Sequence, residues 1–407
     1  MVERVPYAIV GSGPAGTSAA EAIRRADPDA PIVVVSADPH PLYNRILLSK
    51  QFLKSDEIAP EQVVMRPREA YESRGIDLRT GVRVEVLDPE ARSLHLADGS
   101  VIAFERCLIA TGARPRELPV PGRDRPEVRA LRSLEDAIAL REAARKAGEG
   151  AGTAVLIGGG LIGVEVAAAL AARGIAPVLL AREPWLFGHV GPEAVGRGIE
   201  RILADGGVEV RLGTLARSIE PAGRDGARIV VEGPGDAGGD LVAPLVVVGV
   251  GVAYNGELLA GTGLRGRDGG VAVDRFLETD AEGIRAAGDV AAFDDPVLGV
   301  RHHVEHWTHA LHQGRHAGLA MAGEAGPYER VSSYDTELFG TPIAVFGAPA
   351  LATEWSTAGA PVEGEGLALG EAGGRLVAAY RIGAIGDPGE LAGVIRRGAP
   401  AAELAAE

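Results

Sequence analysis

YAIVGSGPAGTSAAEAIRR, Tyr7 to Arg25, joins a short apolar strand, a glycine-rich turn and a helix within the first 25 residues. Gly11, Gly13 and Gly16 supply G-x-G-x-x-G, whose glycines allow a tight turn, close approach of backbone to a pyrophosphate and close contact of helix with strand. Pro14 and Ala15 stand where the helix begins, and its positive N-terminal end suits a pyrophosphate. Taken alone, the pattern defines only a strand-to-helix turn.

A second copy decides the matter. TAVLIGGGLIGVEVAAALAARG, Thr153 to Gly174, is again strand, turn and helix, with Gly158, Gly160 and Gly163 at the glycine positions and Leu161 and Ile162 between them. Two such units, 147 residues apart, imply two dinucleotide sites. The helix from Leu161 to Ala172 is apolar on every face except at Glu165, so it is expected to be buried. A buried carboxylate costs several kcal/mol unless a cation or hydrogen bonds meet it. Glu165 therefore needs a partner, whether functional or only structural.

Between the copies, PIVVVS at 31–36 reads as the second parallel strand of a doubly wound sheet. Ser36 takes the usual place of a ribose-binding acid and Asp38 is the nearest carboxylate, so both are candidates. ADPHPLYNRILLSKQFLK carries Arg45, able to bind phosphate, and Lys50, at the start of an expected helix and able to sit by a redox ring. Residues 76–110 read as short strands ending in CLIATGARP, where Ala110, Thr111 and Gly112 follow a buried strand and let backbone approach a cofactor. A helix from Ser133 to Lys146 and a flexible run, AGEGAG at 147–152, come next.

Beyond the second copy, PVLLAR ends with Ala181 where an NADH site would place its acid. Arg182 follows, able to pair with a 2′-phosphate, and then Glu183, so both coenzymes stay open. VVVGVGVAYN, Val246 to Asn255, is expected to return to the first domain. TDAEGIRAAGDVA puts Gly288 and Asp289 after a strand and before a helix, where a carboxylate can accept ribityl hydroxyls. HHVEHWTHALHQGRHAG, His302 to Gly318, holds six of the nine histidines at helical spacings. No cysteine or tight carboxylate cluster completes a metal set, so no metal is expected. Trp307 suits a flat wall beside an aromatic cofactor, or the core.

Composition sets the outer bounds. The chain has 407 residues, 46% of them hydrophobic, and a net charge of -15, which argues against nucleic-acid or membrane-surface binding. The single cysteine, Cys107, can form no internal disulfide, consistent with a reducing cytoplasm. No apolar run of about 18 residues and no signal-like leader is read, so the chain is expected to be soluble, unprocessed and cytoplasmic.

GSGPAG at 11–16, ATGARP at 110–115, GGGLIGVE at 158–165, GVGVAYN at 249–255 and AAGDVA at 286–291 occur in this order. In this the chain resembles the two-dinucleotide flavoprotein reductases of the pyridine-nucleotide disulfide reductase superfamily. PLYNRILLSK at 41–50 and HVEHWTHALHQGRHAG at 303–318 resemble the ferredoxin reductase branch, which includes putidaredoxin and rubredoxin reductases and apoptosis-inducing factor. The resemblance implies an α/β fold with two Rossmann-like domains, glutathione-reductase-like, and a small α+β C-terminal domain. The expected boundaries are 1–113 with 246–324 for FAD, 114–245 for NAD(P)H, and 325–407 for the C-terminal domain.

It further implies that Gly11, Gly13, Pro14, Ala15, Gly16, Ser36 or Asp38, Arg45, Val82, Ala110, Thr111, Gly112, Gly288 and Asp289 serve FAD. Gly158, Gly160, Leu161, Ile162, Gly163, Arg182 and Gly249 would serve NAD(P)H. Lys50 and Glu165 would form a charged pair near the flavin, and Trp307 would lie beside nicotinamide and flavin. Leu161, Ala181 and Tyr254 depart from the family pattern and bear on coenzyme choice and hydride-transfer rate. Disulfide-reducing relatives need a cysteine near position 45, where this chain has Asn44, Arg45 and Ile46. The implied chemistry is hydride transfer from NAD(P)H to FAD, then single electrons to a [2Fe-2S] ferredoxin or a rubredoxin. The alternatives are an NAD(P)H oxidase or quinone reductase, and a redox-responsive binding protein like apoptosis-inducing factor.

Overall fold

A computed structural model describes residues 2–149, 152–223, 226–235, 239–324 and 326–405. Part of the expected flexible run AGEGAG, residues 150 and 151, lies outside them, as does Ala325, where the C-terminal domain is expected to begin. The chain divides into two compact units. The first is Met1–Asn44, Glu61–Arg114 and Ala253–Tyr334; the second is Arg45–Pro60, Pro115–Val252 and Asp335–Glu407.

In the first unit, Val2–Val10 pairs in parallel with Ile32–Ser36 on one side and Val101–Ile109 on the other. Ile76–Thr80 extends the sheet beyond Ile32–Ser36, and Ile284–Ala286 pairs in parallel with Val101–Ile109. Ile32–Ser36 is buried at every position, as a strand covered on both faces requires. Each fully buried Val or Ile there contributes about 1.5–3 kcal/mol. The short antiparallel strands Val84–Asp88 and Ser93–Leu96 lie within the stretch expected to hold short strands.

Two helices of this unit touch backbone to backbone. A Cβ on Gly314 would meet the Ala15 carbonyl oxygen at 2.1 Å, and one on Gly318 the Ala19 carbonyl oxygen at 2.5 Å. The helix Trp307–Met321 therefore packs directly on Pro14–Ala26. Its start corrects two expectations. Gly288 and Asp289 are followed by the strand Ala291–Asp295 rather than a helix, because the alternating burial of AAFDD suits a hairpin with Val300–His302. Asp295 Oδ1 closes that hairpin by accepting the Val297 and Leu298 N–H groups. His302 and His306 thus precede the helix and share no helical face.

In the second unit, Thr153–Ile157 lies between Ala176–Leu180 and Leu245–Val248, all parallel, with Glu209–Arg211 and Val128–Arg129 at the edges. Leu245–Val248 pairs Val248 with Ile157, so this strand stays in the second unit, and the expected return to the first falls later in the stretch 246–255, at Ala253. The segment Arg45–Pro60 is held within this unit by arginines. Arg173 donates to the Leu53 carbonyl and to Asp56, while Arg141 donates to the Ile58 carbonyl and lies 3.8 Å over the Phe52 ring. A five-stranded sheet contains Thr341–Gly347, Glu354–Ala360, Glu365–Ala372 and Arg375–Ile382, followed by the helix Pro388–Arg397. Asp387 caps that helix by accepting the Glu390 N–H at 2.8 Å.

Candidate dinucleotide sites

The two glycine turns repeat one geometry. Gly11 has φ +108°, and a Cβ there would lie 2.3 Å from the Ala110 carbonyl oxygen; Gly158 has φ +121°, and a Cβ would lie 2.2 Å from that of Gly249. A Cβ on Gly16 would meet the Gly11 carbonyl oxygen at 1.8 Å, and one on Gly163 that of Gly158 at 2.0 Å. These four positions exclude any larger residue. A Cβ on Gly13 or Gly160, by contrast, would have nothing within 4 Å. Each of these two glycines caps its helix without a side-chain hydrogen bond, and neither helix carries an acid in its first turn. The first N–H groups are left for an anion, which is the cradle a pyrophosphate needs.

Around the first turn, Ser12 Oγ donates to Ser36 Oγ at 2.9 Å, and the Val82 N–H donates to the Ser36 carbonyl. Asp38 Oδ1 accepts the His40 N–H and Oδ2 accepts the Tyr43 hydroxyl. Ala110 to Gly112 are stitched by Asn255, a residue not singled out from sequence. Thr111 Oγ1 donates to the Asn255 carbonyl at 2.6 Å, Asn255 Nδ2 donates to the Thr111 carbonyl, and the Asn255 N–H donates to the Gly112 carbonyl. Gly288, at φ +79°, backs onto Ala15: a Cβ there would lie 3.2 Å from the Ala15 methyl. The Gly288 N–H donates to the wholly buried Gln313 Oε1, and Asp289 beside it is buried. Within this unit the structure thus brings Asp289 to the N-terminus of the helix Pro14–Ala26. Trp307, half-buried, is the first residue of its helix.

In the second unit Glu165 has three partners among the described residues. Ser49 Oγ donates to Oε2 at 2.5 Å, Thr336 Oγ1 donates to Oε1 at 2.7 Å, and Lys50 Nζ stands 3.3 Å from Oε1. The family resemblance implied Lys50 as the partner of Glu165 but neither hydroxyl, since serine and threonine suit solvent equally well. Leu161 and Ile162 open the helix Leu161–Ala172. Ala181 is fully buried, and its methyl would lie 2.8 Å from a Cβ on Gly159. Arg182 is largely exposed and pairs with Glu183 Oε1 at 3.1 Å. Arg45 lies in the short 3-10 turn Arg45–Leu47 of this unit.

Among the described residues, no group of three or more His, Cys, Asp or Glu is placed to hold a metal ion, and no helix is long and apolar enough to cross a membrane.

Two doubly wound units, each with a glycine cradle open to an anion, define a two-dinucleotide protein. The profile of the pyridine nucleotide-disulphide oxidoreductase family matches residues 5–314, and the chain belongs to that family. It is 33% identical over 395 residues to the ferredoxin–NAD(+) reductase component of the anthranilate 1,2-dioxygenase system of Burkholderia cepacia, spanning 97% of this chain and 95% of that protein. It is 32% identical to rhodocoxin reductase of Rhodococcus erythropolis, spanning 83% of this chain and 77% of that protein. Among solved structures, the covalent putidaredoxin reductase–putidaredoxin complex matches with a TM-score of 0.89 and 25% identity, over 97% of this chain and 94% of the matched chain. A ferredoxin reductase from Rhodopseudomonas palustris matches with a TM-score of 0.85 and 29% identity, over 93% and 91%.

Proposed function

We propose that this protein is an FAD-dependent NADH:ferredoxin oxidoreductase that passes electrons to a ferredoxin- or rubredoxin-type carrier. The carrying observation is the pair of matched glycine cradles, together with relatives named as ferredoxin–NAD(+) reductases over nearly the whole chain. The first unit takes FAD: Gly11, Gly13 and Gly16 receive its pyrophosphate, Ser36 or Asp38 its ribose, and Asp289 its ribityl hydroxyls. The second takes the nicotinamide coenzyme on Gly158, Gly160 and Gly163. NADH is the donor suggested by the relatives' names, and Arg182 adds NADPH as a second substrate. Bound FAD supplies a hydride acceptor that releases electrons one at a time.

The chain's own part is to bind, orient and tune. Both helix N-termini hold phosphate with backbone N–H groups rather than with lysines, so the fit is directional. Lys50 is kept oriented by Glu165, itself fixed from Ser49 and Thr336, and we assign this pair to charge tuning at the flavin. Trp307 is assigned to the wall beside the reacting rings. The reducing setting that Cys107 suits is the cytoplasm.

The test is anaerobic reduction with NADH followed by mixing with an oxidised [2Fe-2S] ferredoxin or a rubredoxin. Reoxidation by one of these carriers, faster than by oxygen, is expected. A reduced protein that none of them reoxidises would overturn the proposal.

A further inference from the structure

His303 occupies a slot built for its ring. The imidazole stacks on Tyr254 with centroids 3.8 Å apart and planes 12° apart. Gly270 makes room for the ring: a Cβ there would lie 2.3 Å from His303 Cε1 and 2.8 Å from Nε2. Nδ1 is 2.9 Å from the Asp289 carbonyl oxygen, and Nε2 is 3.0 Å from Asp268 Oδ2. Both neighbours are acceptors, so each ring nitrogen faces an oxygen that can take a hydrogen bond from it.

Asp268 is fixed in turn. Its Oδ1 accepts the Gly270 N–H at 2.9 Å. Burial works against its charge, but this N–H and His303 hold its carboxyl below the ordinary range. The other charged or titratable groups around the slot are the Asp289 carboxylate, Tyr254, Glu305, which accepts the Tyr254 hydroxyl at 2.6 Å, Arg265 beside Gly269, and Arg114 at the Tyr254 carbonyl. A histidine that only filled space would need no carboxylate behind it.

We propose that His303 is a positioning residue for the flavin turn: anchored by Asp268, Tyr254 and the Gly270 slot, it grips the Asp289 carbonyl and sets the direction of the Asp289 carboxylate. The inference rests on reading Asp289 as a ligand of the ribityl chain. It assigns a role to His303, Asp268, Gly270 and Tyr254 together, and it gives Tyr254 a purpose as the ring's stacking partner.

The test is a double-mutant cycle on the full-length protein freed of flavin and titrated with FAD, read by flavin fluorescence and visible circular dichroism. His303→Phe keeps an aromatic ring for Tyr254 and removes both donors; Gly270→Ala keeps the donors and crowds the ring. Each is expected to weaken FAD about tenfold, the scale of one charge-assisted hydrogen bond, and to alter the flavin dichroism. The affinity for NADH should stay unchanged in both; the melting point of the flavin-free protein should stay unchanged in His303→Phe and fall in Gly270→Ala, whose Cβ would lie 2.3 Å from the ring. In an Asp289→Ala background His303→Phe should have no further effect, because no carboxylate remains to be aimed. Additive effects in the cycle, or unchanged FAD affinity in both single variants, would overturn the inference. A wild-type chain that binds no FAD would instead overturn the reading of Asp289.

Discussion

Lys50 Nζ and Glu165 Oε1 lie 3.3 Å apart with side chains only 13% and 6% exposed, across 115 positions of sequence. Removing one member of such a pair strands the other, at a cost of about 3–5 kcal/mol. Glu165→Leu should therefore destabilise the protein more than the double variant Lys50→Met/Glu165→Leu. Thr336→Val, which takes one donor from the carboxylate, should cost about 1–3 kcal/mol. Urea unfolding of the four proteins measures all three differences, and a double variant weaker than the single one would contradict the pairing.

Among the described residues Arg182 is paired with Glu183, at 3.1 Å, with its side chain 72% exposed. An exposed pair of this kind is worth about 0–1 kcal/mol, so Arg182 can be released to a 2′-phosphate. Arg182→Ala should raise KM for NADPH about tenfold more than KM for NADH, and Glu183→Ala should lower KM for NADPH. Equal changes for the two coenzymes would remove Arg182 from coenzyme choice.

Cys107 is fully buried in the strand Val101–Ile109, and burial pushes its thiol far above the ordinary range. Only a thiolate reacts, so alkylation by iodoacetamide should be negligible in the native protein and rapid in urea. Cys107→Ala should keep full NADH-dependent reductase turnover. Loss of turnover with the fold intact would return the thiol to the mechanism.

His309 is 3% exposed, and burial, followed by the neighbouring His306, lowers its imidazole to about 3. The unfolded chain takes up this proton near pH 6.5 and the folded protein does not, so folding is opposed increasingly as pH falls below 6.5. The loss should reach about 2 kcal/mol at pH 5 and saturate near pH 3. His309→Phe, placed against Phe293 and Tyr328, should flatten the pH dependence of urea unfolding between pH 7 and 5. An unchanged slope would show that His309 is protonated in place.

What the sequence made legible was what local spacing dictates. The two glycine turns, the helix Leu161–Ala172 and the strand holding Cys107 each follow from residues within about one element of one another. Glu165 announced itself as a lone charge on an apolar helix, but only resemblance named Lys50. The other two partners, Ser49 and Thr336, stand 116 and 171 positions away, and nothing local marks a hydroxyl that the topology will bury. Asn255 was hidden likewise, because its bonds to Thr111 and Gly112 depend on a chain return 144 residues long. The hairpin between Asp289 and Trp307 was missed because histidines at helical spacing resemble a helix. The strand alternation of AAFDD and the turn at Asp295 and Gly299 carried the stronger signal.

The division of the chain into units has a practical corollary. The polypeptide changes unit after Asn44, Pro60, Arg114, Val252 and Tyr334. No single cut therefore releases either unit whole. A fragment ending at Arg114 would lack the parallel strand Ile284–Ala286 and the helix that backs onto Ala15 and Ala19. A series of terminal truncations will thus yield neither unit whole. Excising one would require splicing three separate segments with designed linkers, and a single proteolytic nick should leave both pieces held by the rest of their own unit.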